Sequence, residues 1–378
     1  MSEAPTFYEF FAGGGFARLG LGPGWRCLFA NDWEEAKAAS YRANWGAGEM
    51  RVTDVHALTL QDLPGRADLA WASFPCQDLS LAGAGAGLSG ARSGAFWGFH
   101  ALIRGLVEGG RAPALIALEN VVGLLSANCG ADFAALARAF DGLGYGLSAL
   151  VLDAAAFVPQ SRPRLFVVAR AAGVEVPGRA TPDPALAPAS LVAAWRALPD
   201  RIRARWSWPR LPAPATRRTT LADLLEPDGG VAWRAAEATQ ALLDLMSSAH
   251  RTRVDQALRS GEGLVGAGFR RMRPDGAGGR VQRFEARFDG VAGCLRTPAG
   301  GSSRQTLLVI ERGRARSRLF TSREEARLMG APDGYQLPGR ATTAAHLVGD
   351  AVAPPVVAHL ARHLFAPALA LARDPCAA

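Results

Sequence analysis

Through the first half of the chain, short, mainly apolar runs alternate with longer amphipathic stretches. Residues 7–11, 25–30, 69–74, 114–118, 148–152 and 165–169 are apolar runs of strand length, the pattern of buried strands. Between them, 33–44, 96–108 and 131–143 space their apolar positions three and four apart, as helices with one buried face do. This β-α-β rhythm predicts an α/β domain with a mostly parallel sheet, covered on both faces, and a ligand site outside the carboxyl ends of the strands. After residue 169 the pattern changes. Two proline-bearing stretches, 176–188 and 209–214, read as linkers, and 176–339 is richer in Arg, Gly and Trp without the alternation. A second, smaller domain is expected there, with 1–175 and 340–378 forming the larger one; 345–369 regains helical spacing, as a return to the first domain would.

Composition narrows the function classes. With 378 residues, 49% of them hydrophobic, the chain has enough apolar material for a sizeable core, which argues against overall disorder. Forty-two Lys and Arg stand against 34 Asp and Glu, a net charge of +8, with basic clusters at 201–210 and 270–287. A polyanion is the natural partner for that balance, although an arginine-rich, alanine-rich composition alone produces the same excess. Five cysteines (Cys27, Cys76, Cys129, Cys294, Cys376) are odd in number and scattered, giving neither a disulfide framework nor a zinc spacing, so no metal is expected and a reducing compartment fits. There is no basic leader segment and no uninterrupted apolar run near the ~18 residues of a membrane span. The expectation is a cytoplasmic protein with no membrane partner.

The chemistry-bearing residues fall at strand ends. Phe11-Ala12-Gly13-Gly14-Gly15 follows the first strand, where backbone approaches a nucleotide-like ligand without a Cβ in the way. Asp32 and Trp33 end the second strand: an acid placed for ribose hydroxyls and a flat apolar face for adenine. Asp54, followed by Val55, is placed at the end of a third strand to accept from an adenine amino group. A helix cap for Asp32 and a core position for Trp33 are the plainer alternatives. Pro75-Cys76-Gln77 follows the strand 69–74 and leads into a Gly-, Ala- and Ser-rich loop. A cysteine there is placed as a nucleophile, although most lone cysteines are inert core residues. Glu119-Asn120-Val121 ends the next strand, and Gln160-Ser161-Arg162-Pro163-Arg164 brings two guanidiniums and an amide to the start of another.

In this order the motifs resemble the DNA cytosine-5 methyltransferase family. The likeness resumes at Arg323-Glu324-Glu325-Ala326-Arg327-Leu328-Met329-Gly330 and ends at Val348-Gly349-Asp350-Ala351-Val352, so it spans nearly the whole chain. It implies a Rossmann-like class I S-adenosylmethionine-dependent methyltransferase fold with a smaller target-recognition domain. It also implies cytosine methylation of duplex DNA through attack by Cys76 on C6 of a flipped-out base. Glu119, Arg162 and Arg164 are the implied catalytic partners. Phe11, Gly13, Gly14, Gly15, Asp32, Trp33, Asp54, Val55, Pro75, Asp350 and Val352 would bind S-adenosyl-L-methionine. Gln77, Ser80 and Arg92 in the loop, with Arg296 and Thr297 in the segment Cys294-Leu295-Arg296-Thr297, would contact DNA. A restriction endonuclease encoded separately is a candidate partner, and a monomer is expected. Phe16 stands where the family's glycine motif has its last Gly, Asp32 where Glu is usual, Asp350 where Asn is usual and Cys294 where Thr is customary.

Three rivals remain at this level. A branch of the family methylates tRNA but has a reduced recognition region, whereas a long stretch separates Arg164 from Ser322 here. A DNA-binding regulator that lost activity is opposed by intact Cys76, Glu119 and Arg164. A dehydrogenase-type nucleotide-binding protein leaves Pro75-Cys76-Gln77 unexplained.

Overall fold

The computed structural model describes residues 3–75, 94–276, 278–297 and 304–373. The chain divides into two compact units. One comprises Met1–Asp153, Pro163–Pro214 and Val352–Ala378, the other Ala154–Arg162 and Ala215–Ala351.

The first unit is built on β1 (Thr6–Phe10), α1 (Phe16–Leu21), β2 (Arg26–Asp32), α2 (Glu35–Trp45), β3 (Met50–Val52), β4 (Leu69–Ala72), α3 (Ala95–Glu108), β5 (Leu115–Val121), α4 (Ala131–Gly142), β6 (Gly146–Asp153) and β7 (Pro163–Arg170). The strands form one sheet in the order β3-β2-β1-β4-β5-β7-β6. Pairings from β3 through β5 are parallel, while β7 runs antiparallel to both neighbours. β7 enters between β5 and β6, so the expected mostly parallel sheet ends in two antiparallel pairings. The strand order reverses between β1 and β4, and ligands of open α/β sheets bind at such a point.

One face of the sheet, with Tyr8, Phe10, Ala70, Ile116 and Leu118, packs on Phe96, Phe99 and Ile103 of α3 and Phe133, Leu136 and Phe140 of α4. These helices carry aromatic and aliphatic residues at three- and four-residue intervals, which makes the buried stripe. The region 176–214, assigned from composition to the smaller domain, belongs to this unit. It holds α5 (Ala189–Arg196), α6 (Asp200–Ala204) and the short pair β8 (Gly178–Arg179) and β9 (Trp208–Pro209). Leu191, Ile202 and Trp208 join the same core, and the Val151 N–H of β6 donates to the Leu186 carbonyl at 2.7 Å.

The second unit contains α7 (Ala236–Asp244), α8 (Ser248–Ser260), β10 (Leu264–Pro274), β11 (Arg280–Arg287), β12 (Thr306–Glu311), β13 (Arg314–Leu319), α9 (Ser322–Met329) and α10 (Ala341–Asp350). Its antiparallel sheet has the order β11-β10-β12-β13, with a core of Leu242, Leu243, Met246, Val254, Phe284, Phe288, Leu308 and Ile310. Most of the Gly- and Arg-containing segment 261–279 is the eleven-residue strand β10. Gly266 and Gly268 serve close packing there: a Cβ on Gly266 would lie 2.4 Å from the Phe288 ring, and one on Gly268 2.4 Å from the Glu285 carbonyl oxygen.

The chain then returns to the first unit as α11 (Pro354–Leu360) and, after a π-helical turn, α12 (Ala366–Arg373). α11 packs on α1, where a Cβ on Gly20 would sit 2.5 Å from the Pro354 carbonyl oxygen. Among the described residues, Ala341–Arg373 is apolar enough by length and composition to cross a membrane, with a mean hydropathy of 1.3 over 18 residues. Its helices are interrupted at 351–353. Val356, Val357, Leu360, Leu364 and Phe365 are buried in the protein, which is how core helices pass the same test.

Candidate active site

The glycine loop leaves β1 through a chain of pinned peptides. Phe11 adopts a left-handed conformation (φ 56°), as do Gly13 and Gly15. That cost falls on Phe11, because a side chain disfavours this region. Three backbone N–H groups of the loop are taken up by β2 or by the loop itself: Ala12 donates to the Asn31 carbonyl at 2.8 Å, Gly13 to Asp32 Oδ2 at 2.9 Å, and Gly15 to the Ala12 carbonyl at 2.8 Å. Asp32 therefore spends one carboxylate oxygen on the loop, and the other accepts from the Glu34 N–H at 2.9 Å. Burial pushes its carboxyl up from the ordinary range, against the pull of Lys37 and the two backbone donors. The N-cap of α2 is Glu34, so Asp32 stands two residues before it, at the rim of the sheet.

Trp33 is not a core residue. Its indole is 68% exposed, an unusual state for so large an apolar side chain and a suitable one for a flat ligand. Asp54 follows β3 as the cap of a short 3-10 turn, accepting from the His56 N–H at 2.8 Å, with Val55 buried beside it. Nothing in this set conflicts with a nucleoside-bearing cofactor at the β1–β4 switch point: an exposed ring, two carboxylates and a backbone loop without side-chain bulk at Gly13.

A second group stands at the carboxyl ends of β4 and β5. Glu119 of β5 lies opposite Phe166 of β7, and Val121 opposite Arg164, so Glu119 and Arg164 are diagonal neighbours on one face of the sheet. Their side chains meet with Arg164 Nε 3.0 Å from Glu119 Oε1, both largely buried. Asn120 points the other way and donates to the Phe74 carbonyl at 3.1 Å. That bond ties β5 to the segment carrying Pro75, which is half-buried. Nothing local in the motif Glu119-Asn120-Val121 signals this role for Asn120. Cys76, Gln77, Ser80 and Arg92 lie outside the described residues.

Arg162 and Arg164 are two residues apart and serve different units. Within the second unit, the buried Arg162 guanidinium donates to the carbonyls of Leu295 (3.1 Å), Gly349 (2.9 Å) and Ala351 (2.6 Å) and approaches Cys294 Sγ at 3.3 Å. Gln160 is also buried, donating to the Leu328 carbonyl at 2.8 Å and accepting from the Leu295 N–H at 2.9 Å. The Gln-x-Arg run is thus the brace of the 294–297 segment. Thr297 donates its hydroxyl to Asp350, and the Arg296 guanidinium lies 5.7 Å from the centre of the Phe269 ring, which Arg271 also approaches at 5.5 Å. Val352 opens the returning segment of the first unit and is buried. The acidic motif 323–330 is scaffold as well: Glu324 forms a capping box with Thr321 and a buried bidentate pair with Arg318, both bonds at 2.6 Å, and Glu325 pairs with Arg304.

The architecture, a seven-stranded mixed sheet with a separate antiparallel sheet, is that of the α/β methyltransferases. A profile of the C-5 cytosine-specific DNA methylases matches residues 5–366, and the chain belongs to that family; the activity that goes with it is cytosine-5 methylation of DNA. Among curated relatives, it is 27% identical to the type II methyltransferase M.HpaII of Haemophilus parainfluenzae, over 94% of this chain and 88% of that protein. It is 25% identical to M.HhaI of Haemophilus parahaemolyticus over 95% and 93%. The 32% likeness to M.BsuFI of Bacillus subtilis is partial, covering 43% of this chain and 38% of that one. The fold is shared with the Dnmt2 methyltransferase of S. pombe (TM-score 0.58, 17% identity, 99% of this chain and 100% of that one). It is also shared with an E. coli prophage-encoded putative DNA modification methyltransferase (TM-score 0.57, 16% identity, 97% and 99%).

Proposed function

We propose that the chain methylates C5 of a cytosine flipped out of a specific duplex sequence, through a covalent bond between Cys76 and C6. The Glu119–Arg164 pair, 3.0 Å apart on the rim that also carries Pro75, is the observation that favours this reading. Cytosine C5 is too weak a nucleophile until the ring is activated. The Cys76 thiolate adds to C6, opening the C5–C6 double bond and making C5 enamine-like. Glu119 holds a proton at N3 and accepts from the exocyclic amine, so the charge pushed into the ring is neutralised where it develops. Arg164 fixes the Glu119 carboxylate and donates to O2. S-adenosylmethionine, held by the Phe11–Gly15 loop, Asp32, Trp33, Asp54 and Val55, supplies the electrophilic methyl group. Loss of the C5 proton and departure of Cys76 then restore the aromatic ring. Access to ring face and edge requires the base outside the stack.

The first unit carries catalysis in this reading, and the second carries sequence recognition through Arg296, Thr297 and the β10–β11 hairpin. Gln77, Ser80 and Arg92 contact DNA near the nucleophile. Arg162 takes a bracing role rather than a place on the base. The protein acts as a cytoplasmic monomer without a metal, and its likeness to type II methyltransferases suits a separately encoded restriction endonuclease as partner. Substituting Cys76→Ser tests the mechanism, since a hydroxyl is far less nucleophilic than a thiolate. Methyl transfer into duplex DNA is expected to fall at least about a hundred-fold while DNA affinity is unchanged. Turnover near that of the parent would remove Cys76 from the reaction.

A further inference from the structure

Each side of the glycine loop has a holder, and one of them comes from far along the chain. The Gly14–Gly15 peptide is gripped at both ends. Its N–H donates to the Ala12 carbonyl at 2.8 Å, and its carbonyl oxygen, which a trans peptide points the opposite way, accepts from Trp45 Nε1 at 3.1 Å. Trp45 ends α2 and reaches the loop across 31 residues. Gly15 is shaped to receive it: a Cβ there would lie 2.3 Å from Trp45 Nε1 and 3.0 Å from the Tyr41 ring, and its φ is +78°.

The indole is itself held. The Arg18 guanidinium sits 5.0 Å from the Trp45 ring centre and 5.6 Å from that of Tyr41. It also donates to the Tyr41 hydroxyl at 2.8 Å and pairs with Glu49 at 3.4 Å. Arg18 belongs to α1, the helix that continues from the loop, and its backbone N–H donates to the buried Glu9 of β1 at 3.2 Å. The loop is therefore tied to β1 through Glu9 and to α2 through Trp45.

We propose that Trp45 is a positioning residue for S-adenosylmethionine: by fixing the Gly14 carbonyl it sets the orientation of the peptide that faces the cofactor. The inference rests on the cofactor reading above. The substitution Trp45→Phe keeps a ring for Arg18 to lie over and removes the N–H donor. Titrating S-adenosylhomocysteine calorimetrically into wild type and variant, with steady-state kinetics alongside, separates positioning from packing. Loss of one hydrogen bond predicts a Kd for S-adenosylhomocysteine and a KM for S-adenosylmethionine each raised about five-fold, with kcat and the KM for DNA within about two-fold. A variant that is less heat-stable but has unchanged Kd and KM would overturn the proposal, leaving Trp45 as packing. Gly15→Ala, which drives a methyl group into the indole, is expected to weaken S-adenosylhomocysteine binding at least as much. It decides the matter if Trp45→Phe does not fold, and unchanged binding by Gly15→Ala would equally overturn the proposal. Wild type that fails to bind S-adenosylhomocysteine would overturn the cofactor reading and this proposal with it. Wild type that binds while Trp45→Phe binds equally well overturns only this one.

Discussion

A carboxyl group in the middle of a fully buried strand must find a cation or give up its charge, and Glu9 does the second. Burial pushes its carboxyl up to about 8, despite the Arg18 N–H and guanidinium, and Oε2 has no hydrogen-bond partner among the described residues. The native state therefore keeps a proton that the unfolded chain, with an ordinary value of 4.5, releases as pH rises. Stability is expected to fall between about pH 4.5 and 8, with a slope approaching about 1.4 kcal/mol per pH unit from this group. Glu9→Gln removes the titration. Urea unfolding at pH 5, 6.5 and 8 is expected to show the variant gaining on wild type as pH rises; parallel pH dependences would show that Glu9 is not protonated in the fold. The strand-end places of Asp32 and Glu119 were legible in the sequence, because each stands at the end of an apolar run of strand length. Trp45 and Asn120 act through partners 31 and 46 residues away, and no local pattern announces them.

At the scale of elements, the parallel half of the large sheet was readable because buried strands and amphipathic helices alternate with the right periods. The reversal of β7 was not, since an apolar run looks the same whichever way it enters a sheet. The six-residue α1 is too short to show helical periodicity. β10 was hidden by its own composition: glycine and arginine suggest loops, yet Gly266 and Gly268 let β10 approach β11 and the ring of Phe288. This packing predicts the behaviour of Gly268→Ala. An added Cβ would meet the Glu285 carbonyl oxygen at 2.4 Å and the Ala286 Cα at 2.8 Å, and backbone cannot step aside as a side chain can. A loss of about 1–3 kcal/mol in chemical denaturation is expected. A neutral substitution would mean the β10–β11 ladder is looser than described.

For the whole molecule, the class of activity was legible because the motifs run in family order over nearly the full length. The unit boundaries were less so: 176–214 reads by composition as part of the smaller domain but packs into the first unit, because Leu191 and Trp208, between the two proline-bearing stretches, are buried in its core. Net charge of +8 supplies general attraction to DNA, whereas specificity needs side chains at base edges. Arg296→Ala is expected to relax preference at one base position, losing ~1–3 kcal/mol of discrimination. Arg210→Ala, at an exposed position, should weaken binding evenly and flatten its salt dependence. Methylation of a randomised oligonucleotide library separates them: an unchanged base profile with uniformly lower yield would assign Arg296 to positioning and move the reader to the hairpin arginines. The covalent mechanism is tested most directly with duplex DNA carrying 5-fluorocytosine at the target, incubated with the protein and S-adenosylmethionine. Fluorine cannot leave C5 as a cation, so elimination stalls. The predicted result is a stable protein–DNA adduct, dependent on S-adenosylmethionine, whose mass maps to the peptide containing Cys76. Normal methylation of unmodified cytosine with no adduct on the fluorinated duplex, or an adduct mapping to another residue, would contradict it.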